Sequence, residues 1–225
     1  MAPTDPQLWS PAPKAVLFDI DGTLVDSNYL HVDAWARAFE EVGRPVDSWR
    51  IHRSIGLDSE RLLDALLGDD LDEFGDRAKD LHSEFYQAST DRLRPLPGAV
   101  DLLHALSDAG VRVVLATSAP EEELEILLGV LDSDDALYAT TSSADVSTAK
   151  PEPDIVNVAL ERAGADASEA LFVGDAVWDI KAAARASLGA IGVRTGGISS
   201  GELMDAGALQ VFDDAAAVLA DFERR

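Results

Sequence analysis

Four places in the chain put chemically useful side chains directly after short apolar runs. Ala15-Val-Leu-Phe leads into Asp19-Ile20-Asp21-Gly22-Thr23-Leu24, two carboxylates two residues apart beside a glycine that permits a sharp turn. Val111-Arg-Val-Val-Leu-Ala leads into Thr117-Ser118, a hydroxyl pair ahead of a helical pattern whose exposed amides could hold an anion. Beyond a third run, Ala136-Leu-Tyr-Ala-Thr, comes Lys150, followed by Pro151-Glu-Pro-Asp154, where a proline suits a helix start. Ala170-Leu-Phe-Val ends in Gly174-Asp175, and Asp179 follows one helical turn later. Each element alone is weak, since Asp-X-Asp in a chain with 42 acidic residues reads equally well as a solvated turn. The specific signal is their ordered recurrence at four successive run ends. Gathered in one place, these groups would offer hard oxygen ligands suited to Mg²⁺ rather than Zn²⁺. Lys150 would add a positive charge among them, which an anion site in so acidic a chain requires.

Such convergence requires the four runs to be neighbouring strands. Their length and apolar continuity read as buried parallel strands, with weaker runs at Ala190-Ile-Gly-Val and Leu209-Gln-Val-Phe. Helical patterns fill the gaps at 98–109, 121–130, 151–163, 176–186 and 213–222. This alternation predicts an α/β fold with a doubly wound, Rossmann-like parallel sheet, in which ligands bind beyond the carboxyl ends of the strands. The interval 27–94 breaks the rhythm: Leu30, Ala34, Trp35, Ala38 and Phe39, then Leu62, Leu63, Leu66 and Leu67, follow helical spacing without a strand. It reads as an α-helical cap inserted into a catalytic core formed by 14–26 and 95–225, with candidate hinges at Val25-Asp26-Ser27 and Leu93-Arg94-Pro95. Residues 1–13, with four prolines and no apolar run, read as a loose leader rather than a signal peptide or membrane span.

With 42 acidic and 18 basic residues the formal charge is −24, a field that disfavours nucleic acid and anionic membrane surfaces as partners. A small anionic substrate would be repelled at long range as well, so an anion site must reverse the sign locally. No cysteine is present, so disulfides and thiolate metal sites are excluded, and the cytoplasm is the expected compartment. A monomer or homodimer is expected.

The four run ends resemble the four signature motifs of the haloacid dehalogenase superfamily, from Lys14 to about Val193, with a cap inserted after the first motif. The resemblance implies that Asp19 attacks phosphorus to give an aspartyl-phosphate and that Asp21 serves as acid and then base. It implies further that Thr117 and Lys150 assist catalysis and that Gly22, Ser118 and Ala119 contact the bound phosphate. Mg²⁺ would then be held by the Asp19 carboxylate, the Asp21 main-chain carbonyl and Asp175, with Asp179 in support. As an acid, Asp21 would need its pKa raised, for which Asp19 is the nearest charge.

Asp26 to Trp35 looks like the first cap helix of the subfamily that includes phosphoglycolate phosphatase and β-phosphoglucomutase, with Ser27 as N-cap. His31 reads either as a residue facing substrate or as a partly buried cap residue, Trp35 as cap core, and His52, His82 and His104 as structural. Arg53, in the segment Arg53 to Leu62 that resembles the cap loop over the active site, is the candidate for a second anionic group on the substrate. Trp178 is expected to pack under the site. The expected function is a Mg²⁺-dependent phosphatase acting on a small phosphorylated metabolite. A sugar-phosphate mutase would share every core residue, while a non-catalytic metal- or phosphate-binding protein would be expected to lose one of them, and none is lost.

Overall fold

The computed structural model describes residues 8–146, 148 and 150–225. Six parallel strands form one sheet in the order β3-β2-β1-β4-β5-β6: β1 (Ala15–Phe18), β2 (Arg112–Ala116), β3 (Ala139–Thr141), β4 (Ala170–Gly174), β5 (Gly189–Val193) and β6 (Gln210–Phe212). Chain order reverses beside β1, which pairs with β2 on one side and β4 on the other. The mouth of the sheet opens at this switch point, where the tips of β1 and β4 lie next to each other.

Both faces of the sheet are buried, which is why β1 and β4 are apolar at every position. Side chains alternate across a strand, so Val16 and Phe18 enter the core beneath α5 (Ala99–Asp108), α6 (Glu121–Leu131) and α10 (Ala215–Phe222). Ala15 and Leu17 enter the opposite core beneath α7 (Asp154–Ala163), α8 (Val177–Arg185) and α9 (Ser200–Asp205). The inserted cap is formed by α1 (Asn28–Glu41), α2 (Ser48–Ser54), α3 (Ser59–Leu67) and α4 (Leu71–Gln87) around a core of its own that includes Trp35, Phe39, Ile51 and Leu62. Where the chain crosses between cap and core, the two crossings pair with each other. Asp26 N donates to Arg94 O at 3.0 Å, Leu96 N donates to Leu24 O at 2.8 Å, and Arg94 and Asp26 form an ion pair at 2.9 Å.

Four details differ from the sequence expectation. The third strand begins at Ala139 rather than Ala136, because Asp134–Ala136 coils into a short 3₁₀ turn that carries Ala136 into the core. Helix α7 begins at Asp154 rather than 151, since the residue before a proline is disfavoured in the helical region and Glu152 precedes Pro153. Helix α9 was not anticipated; a reciprocal capping box between Ser199 and Glu202 starts it, and Leu203 anchors it in the core. The leader is not loose throughout. Residues 1–7 lie outside the described residues, but Trp9 is 5% exposed, stacks edge-on to Phe222 at 5.1 Å, and donates its indole N–H to Asp221 at 3.0 Å. No helix among the described residues is long and apolar enough to cross a membrane.

Trp9 therefore acts as a plug holding α10 against the sheet. Trp9→Ala is expected to lower stability by about 3–5 kcal/mol, the usual range for emptying a buried tryptophan site. Urea unfolding would read it, and a loss under about 1 kcal/mol would show that the segment is dispensable.

Candidate active site

Each floor residue follows from a strand end. Asp19 leaves the tip of β1 with its amide bound to Val173 O of β4 at 3.0 Å, and Asp175 leaves the tip of β4 beside it. Asp179 sits in the first turn of α8, where its Oδ2 accepts from Ala176 N at 3.0 Å and caps the helix. Lys150, 2% exposed, reaches between them, with Nζ 2.5 Å from Asp19 Oδ1 and 2.8 Å from Asp179 Oδ1. Asp179 Oδ1 has no hydrogen-bond partner among the described residues, so its contact with Lys150 is electrostatic rather than aligned. Ligand oxygens of Asp19, Asp175 and Asp179 all lie within 4.8 Å of one another. Asp175 is steadied by Thr23 Oγ1 at 3.0 Å and by Asn28 Nδ2, from the first turn of the cap, at 2.8 Å.

Three buried carboxylates and one ammonium leave an excess of negative charge, and the protonation equilibria show it. Burial, followed by the charges of Asp179 and Asp19, pushes Asp175 well above the ordinary carboxylate range. Asp19 is pushed up to about 7, with burial outweighing the opposing charge of Lys150. Burial also works against the charge on Lys150, but Asp179 and Asp19 more than offset it and hold the ammonium above its ordinary value. A set of clustered carboxylate oxygens that resist full ionisation fits a hard divalent cation, with Asp19, Asp175 and Asp179 as its side-chain ligands. The Asp21 side chain points into a separate cluster, so only its main chain could join this set.

Close approach explains two glycines. At Gly22, where φ is +72°, a Cβ would stand 2.2 Å from Asn28 Nδ2 and 2.7 Å from Asp175 Oδ2; at Gly196 it would stand 1.6 Å from Asp175 Oδ2. Thr117 is 1% exposed, and its Oγ1 accepts from Ala119 N at 3.0 Å, so that amide is already occupied. Ser118 and Ala119 line the cavity, and Ser118 Oγ is buried with no hydrogen-bond partner among the described residues.

Between floor and cap lies a cavity of about 540 Å³ that takes in Asp19, Asp21, His31, Ser118, Lys150 and Asp175. Asp21 departs from expectation. Burial would raise its pKa, but His31 and the Ser27 hydroxyl, which donates to Asp21 Oδ1 at 2.5 Å, hold the carboxyl below the ordinary range. Ser27 occupies the N-cap of α1 without making a side-chain capping bond, because Asp21 takes its hydroxyl. His31 comes within 3.4 Å of Asp21 Oδ1 and 3.3 Å of Glu123 Oε1, and stacks on Tyr86 at 3.9 Å. His82 is not an isolated structural residue: its Nε2 lies 3.1 Å from His31 Nδ1, and its ring stacks on Trp35 at 4.0 Å.

Arg53 does not belong with these residues. It pairs with Glu202 of the core at the protein surface and does not line the cavity, because its position at the end of α2 directs it toward α9. Among the described residues, the cap cations that line the cavity besides His31 are Arg61 and Lys79, Arg61 standing 3.7 Å from Asp58 and 3.5 Å from Glu152. Trp178 is half-buried against the cap loop at Gly56 rather than lying beneath the floor. Sequence reasoning also missed Asn28 and Glu123, whose partners are remote in sequence and leave no local signal.

Fold and site together define a capped α/β enzyme with an acidic, lysine-bridged pocket at the strand tips. The haloacid dehalogenase-like hydrolase family matches residues 13–187, and the chain belongs to that family. Among its relatives is a phosphoglycolate phosphatase of Rhodospirillum rubrum, 31% identical over 217 residues, spanning 92% of this chain and 89% of the relative. Another is a validoxylamine A 7'-phosphate phosphatase of Streptomyces hygroscopicus subsp. limoneus, 32% identical over 187 residues, spanning 81% of this chain and 86% of the relative. A hydrolase of known crystal structure from Pseudomonas syringae is 36% identical and superposes with a TM-score of 0.89 over 94% of this chain and 98% of that one.

Two outcomes follow from the crowded carboxylates. In EDTA the folded state keeps a proton on Asp19 that the unfolded chain gives up near 3.8, so the stability it contributes is complete below that pH and lost as pH rises through about 7. A hard divalent cation should flatten this decline, adding about 2.7 kcal/mol at a hundredfold excess over its Kd. Asp175→Asn should abolish the cation increment while melting no lower than wild type in EDTA. Thermal unfolding across pH with and without Mg²⁺ checks both; an increment preserved in Asp175→Asn would remove Asp175 from the cation site.

Proposed function

We propose that the protein is a Mg²⁺-dependent phosphatase that hydrolyses a small phosphorylated metabolite through an aspartyl-phosphate on Asp19. The observation that carries this reading is the convergence of Asp19, Asp175 and Asp179 within 4.8 Å, with Lys150 bridging Asp19 and Asp179. Bound there, Mg²⁺ would supply the positive charge that lets a carboxylate and a phosphate dianion approach each other. The phosphatase names of the relatives support the same reaction class.

The residues then divide the work. Asp19 Oδ attacks phosphorus, forming the acyl-phosphate bond as the bond to the ester oxygen breaks. Lys150 stays within reach of the attacking carboxylate and offsets its charge. Thr117 Oγ1, already accepting from Ala119 N, keeps its proton free to donate, and Ser118 Oγ supplies a second donor on the cavity wall. Asp21 gives a proton to the departing oxygen and later takes one from the water that cleaves the acyl-phosphate, releasing inorganic phosphate and regenerating Asp19. Because Asp21 is held ionised in this structure, it must acquire that proton from its surroundings. Burial works against the charge on His31, but the charges of Glu123 and Asp21 override it and push its pKa up to about 10, which makes His31 the adjacent proton carrier.

Asp19→Asn should reduce turnover by more than about a thousandfold without unfolding the protein, as expected for loss of a nucleophile. Asp21→Asn should slow an alkyl phosphate by about 10² to 10⁴ and p-nitrophenyl phosphate much less, because a good leaving group needs little protonation. Phosphate release from a panel of phosphorylated metabolites, with and without Mg²⁺, measures both. Turnover that survives in Asp19→Asn would exclude the covalent route, and isomer rather than phosphate from glucose 1-phosphate would replace hydrolysis with mutase chemistry.

A further inference from the structure

Glu123 touches no reacting group in the mechanism above, yet it is one of the few charged residues of the core to contact a cap side chain inside the cavity. It sits in the first turn of α6 after Glu121 and Glu122. Those two are exposed and already complement the helix N-terminus, so a third carboxylate adds little there. Glu123 turns inward instead, with its side chain 18% exposed, and its partner is His31 Nε2.

Two cap residues also hold His31. Tyr86 covers its ring face with planes only 7° apart, and His82 faces Nδ1 at 3.1 Å. Burial and the charge of His31 push His82 down to about 2, so it is neutral and its Nε2 can accept from the Nδ1–H of His31. One ring edge remains, and it is shared by two core carboxylates, Asp21 at 3.4 Å and Glu123 at 3.3 Å. Both distances are long for hydrogen bonds and suit an ion held between two charges. Asp21, in the loop after β1, and Glu123, in the first turn of α6, belong to the core, while His31, Tyr86 and His82 all belong to the cap. The contact therefore exists only when the cap sits over the strand tips.

We propose that Glu123 is a positioning residue of the acid–base step, drawing the cap's His31 onto Asp21 so that cap closure and placement of the Asp21 carboxyl against the leaving oxygen occur together. This rests on the phosphatase reading given above. Without Glu123, His31 has one carboxylate in place of two, and the cap can close without presenting the ring edge to Asp21. The effect falls on departure of poor leaving groups and spares steps that need no proton.

The test compares Glu123→Ala, Glu123→Gln and His31→Ala with the double variant, using an alkyl phosphate and p-nitrophenyl phosphate with saturating Mg²⁺. Glu123→Ala is expected to lower kcat for the alkyl phosphate about ten- to a hundredfold, and for p-nitrophenyl phosphate by less than about threefold. Glu123→Gln keeps an acceptor oxygen and should recover part of that loss. The double variant should be no worse than His31→Ala, because Glu123 acts through His31. Equal losses for both substrates, additive losses in the double variant, or no loss in Glu123→Ala would overturn the assignment. ¹⁵N-histidine spectra of the wild-type protein and Glu123→Ala give a readout free of turnover. A slowly exchanging His31 Nε2–H should vanish in the variant while the Nδ1–H facing His82 stays, and persistence of the Nε2–H would refute the positioning role. Absence of phosphate release from every substrate in the wild type would instead refute the phosphatase reading, leaving the spectra to decide the contact.

Discussion

Burying three carboxylates around a single ammonium is the constraint from which most of the local architecture follows. An unpaired carboxylate in the interior would simply take up a proton, and the upward displacement of Asp19 and Asp175 shows how near this site stands to that outcome. The fold counters the repulsion with directed donors rather than with further full charges. Thr23 and Asn28 serve Asp175, the Ala176 amide serves Asp179, and Lys150 serves Asp19 and Asp179. Dipoles of this kind stabilise an anion without neutralising it, so the carboxylate oxygens can stay clustered without a full counter-charge for each. The glycines at 22 and 196 belong to the same solution, because any side chain there would occupy the space that Asn28 and Asp175 need.

The cap is tied into this arrangement from its first turn. Ser27, Asn28 and His31 lie within five positions of one another, and all three direct their polar atoms to core carboxylates rather than to α1 itself. Helix α1 thus begins without a side-chain capping bond. The lost capping contribution, on the order of 1 kcal/mol, is small beside the cost of leaving Asp21 or Asp175 without a donor, so the local rule gives way to the site. A cap anchored only by surface ion pairs such as Arg53 with Glu202 would be held weakly, since exposed pairs contribute about 0–1 kcal/mol each. Anchoring through buried groups of the pocket makes the position of the cap depend on the state of the chemistry beneath it.

What could be read from the sequence follows the same division. Strand β1 and the residues at its tip were legible because a strand buried on both faces is apolar at every position, and because the chemistry then appears where the apolar run stops. The helical cap was legible from periodicity alone. Residues whose meaning depends on a distant partner were not. Nothing near Asn28 announces Asp175, 147 residues away, and Glu123 looks like one more first-turn glutamate until the cap is placed above it. Arg53 shows the converse failure, since its place in a cap segment suggested the cavity while its helix directs it to Glu202. Helix α9 was legible in principle: Ser199 and Glu202 stand three apart just before Leu203, a capping pattern that needs no tertiary context.

The chain's charge of −24 gives the closed cap a second physical role. An anionic substrate approaching from solvent meets a repulsive field, and near the surface that field is screened within about 10 Å at 0.1 M salt. Inside the cavity the cations are Lys150 from the core and His31, Arg61 and Lys79 from the cap. Three of the four belong to the cap, and Lys150 is the cation that the core sets beside its own carboxylates. The cap lines the cavity with these three cations against two carboxylates, Asp58 and Glu60, so its own contribution is net positive and offsets part of the negative charge that Asp19, Asp21, Glu123 and Asp175 bring from the core. The acidity of the whole protein and the cations of its pocket are therefore compatible, because the inserted cap sets His31, Arg61 and Lys79 over the strand tips, where burial keeps the charge of His31 from being screened by solvent.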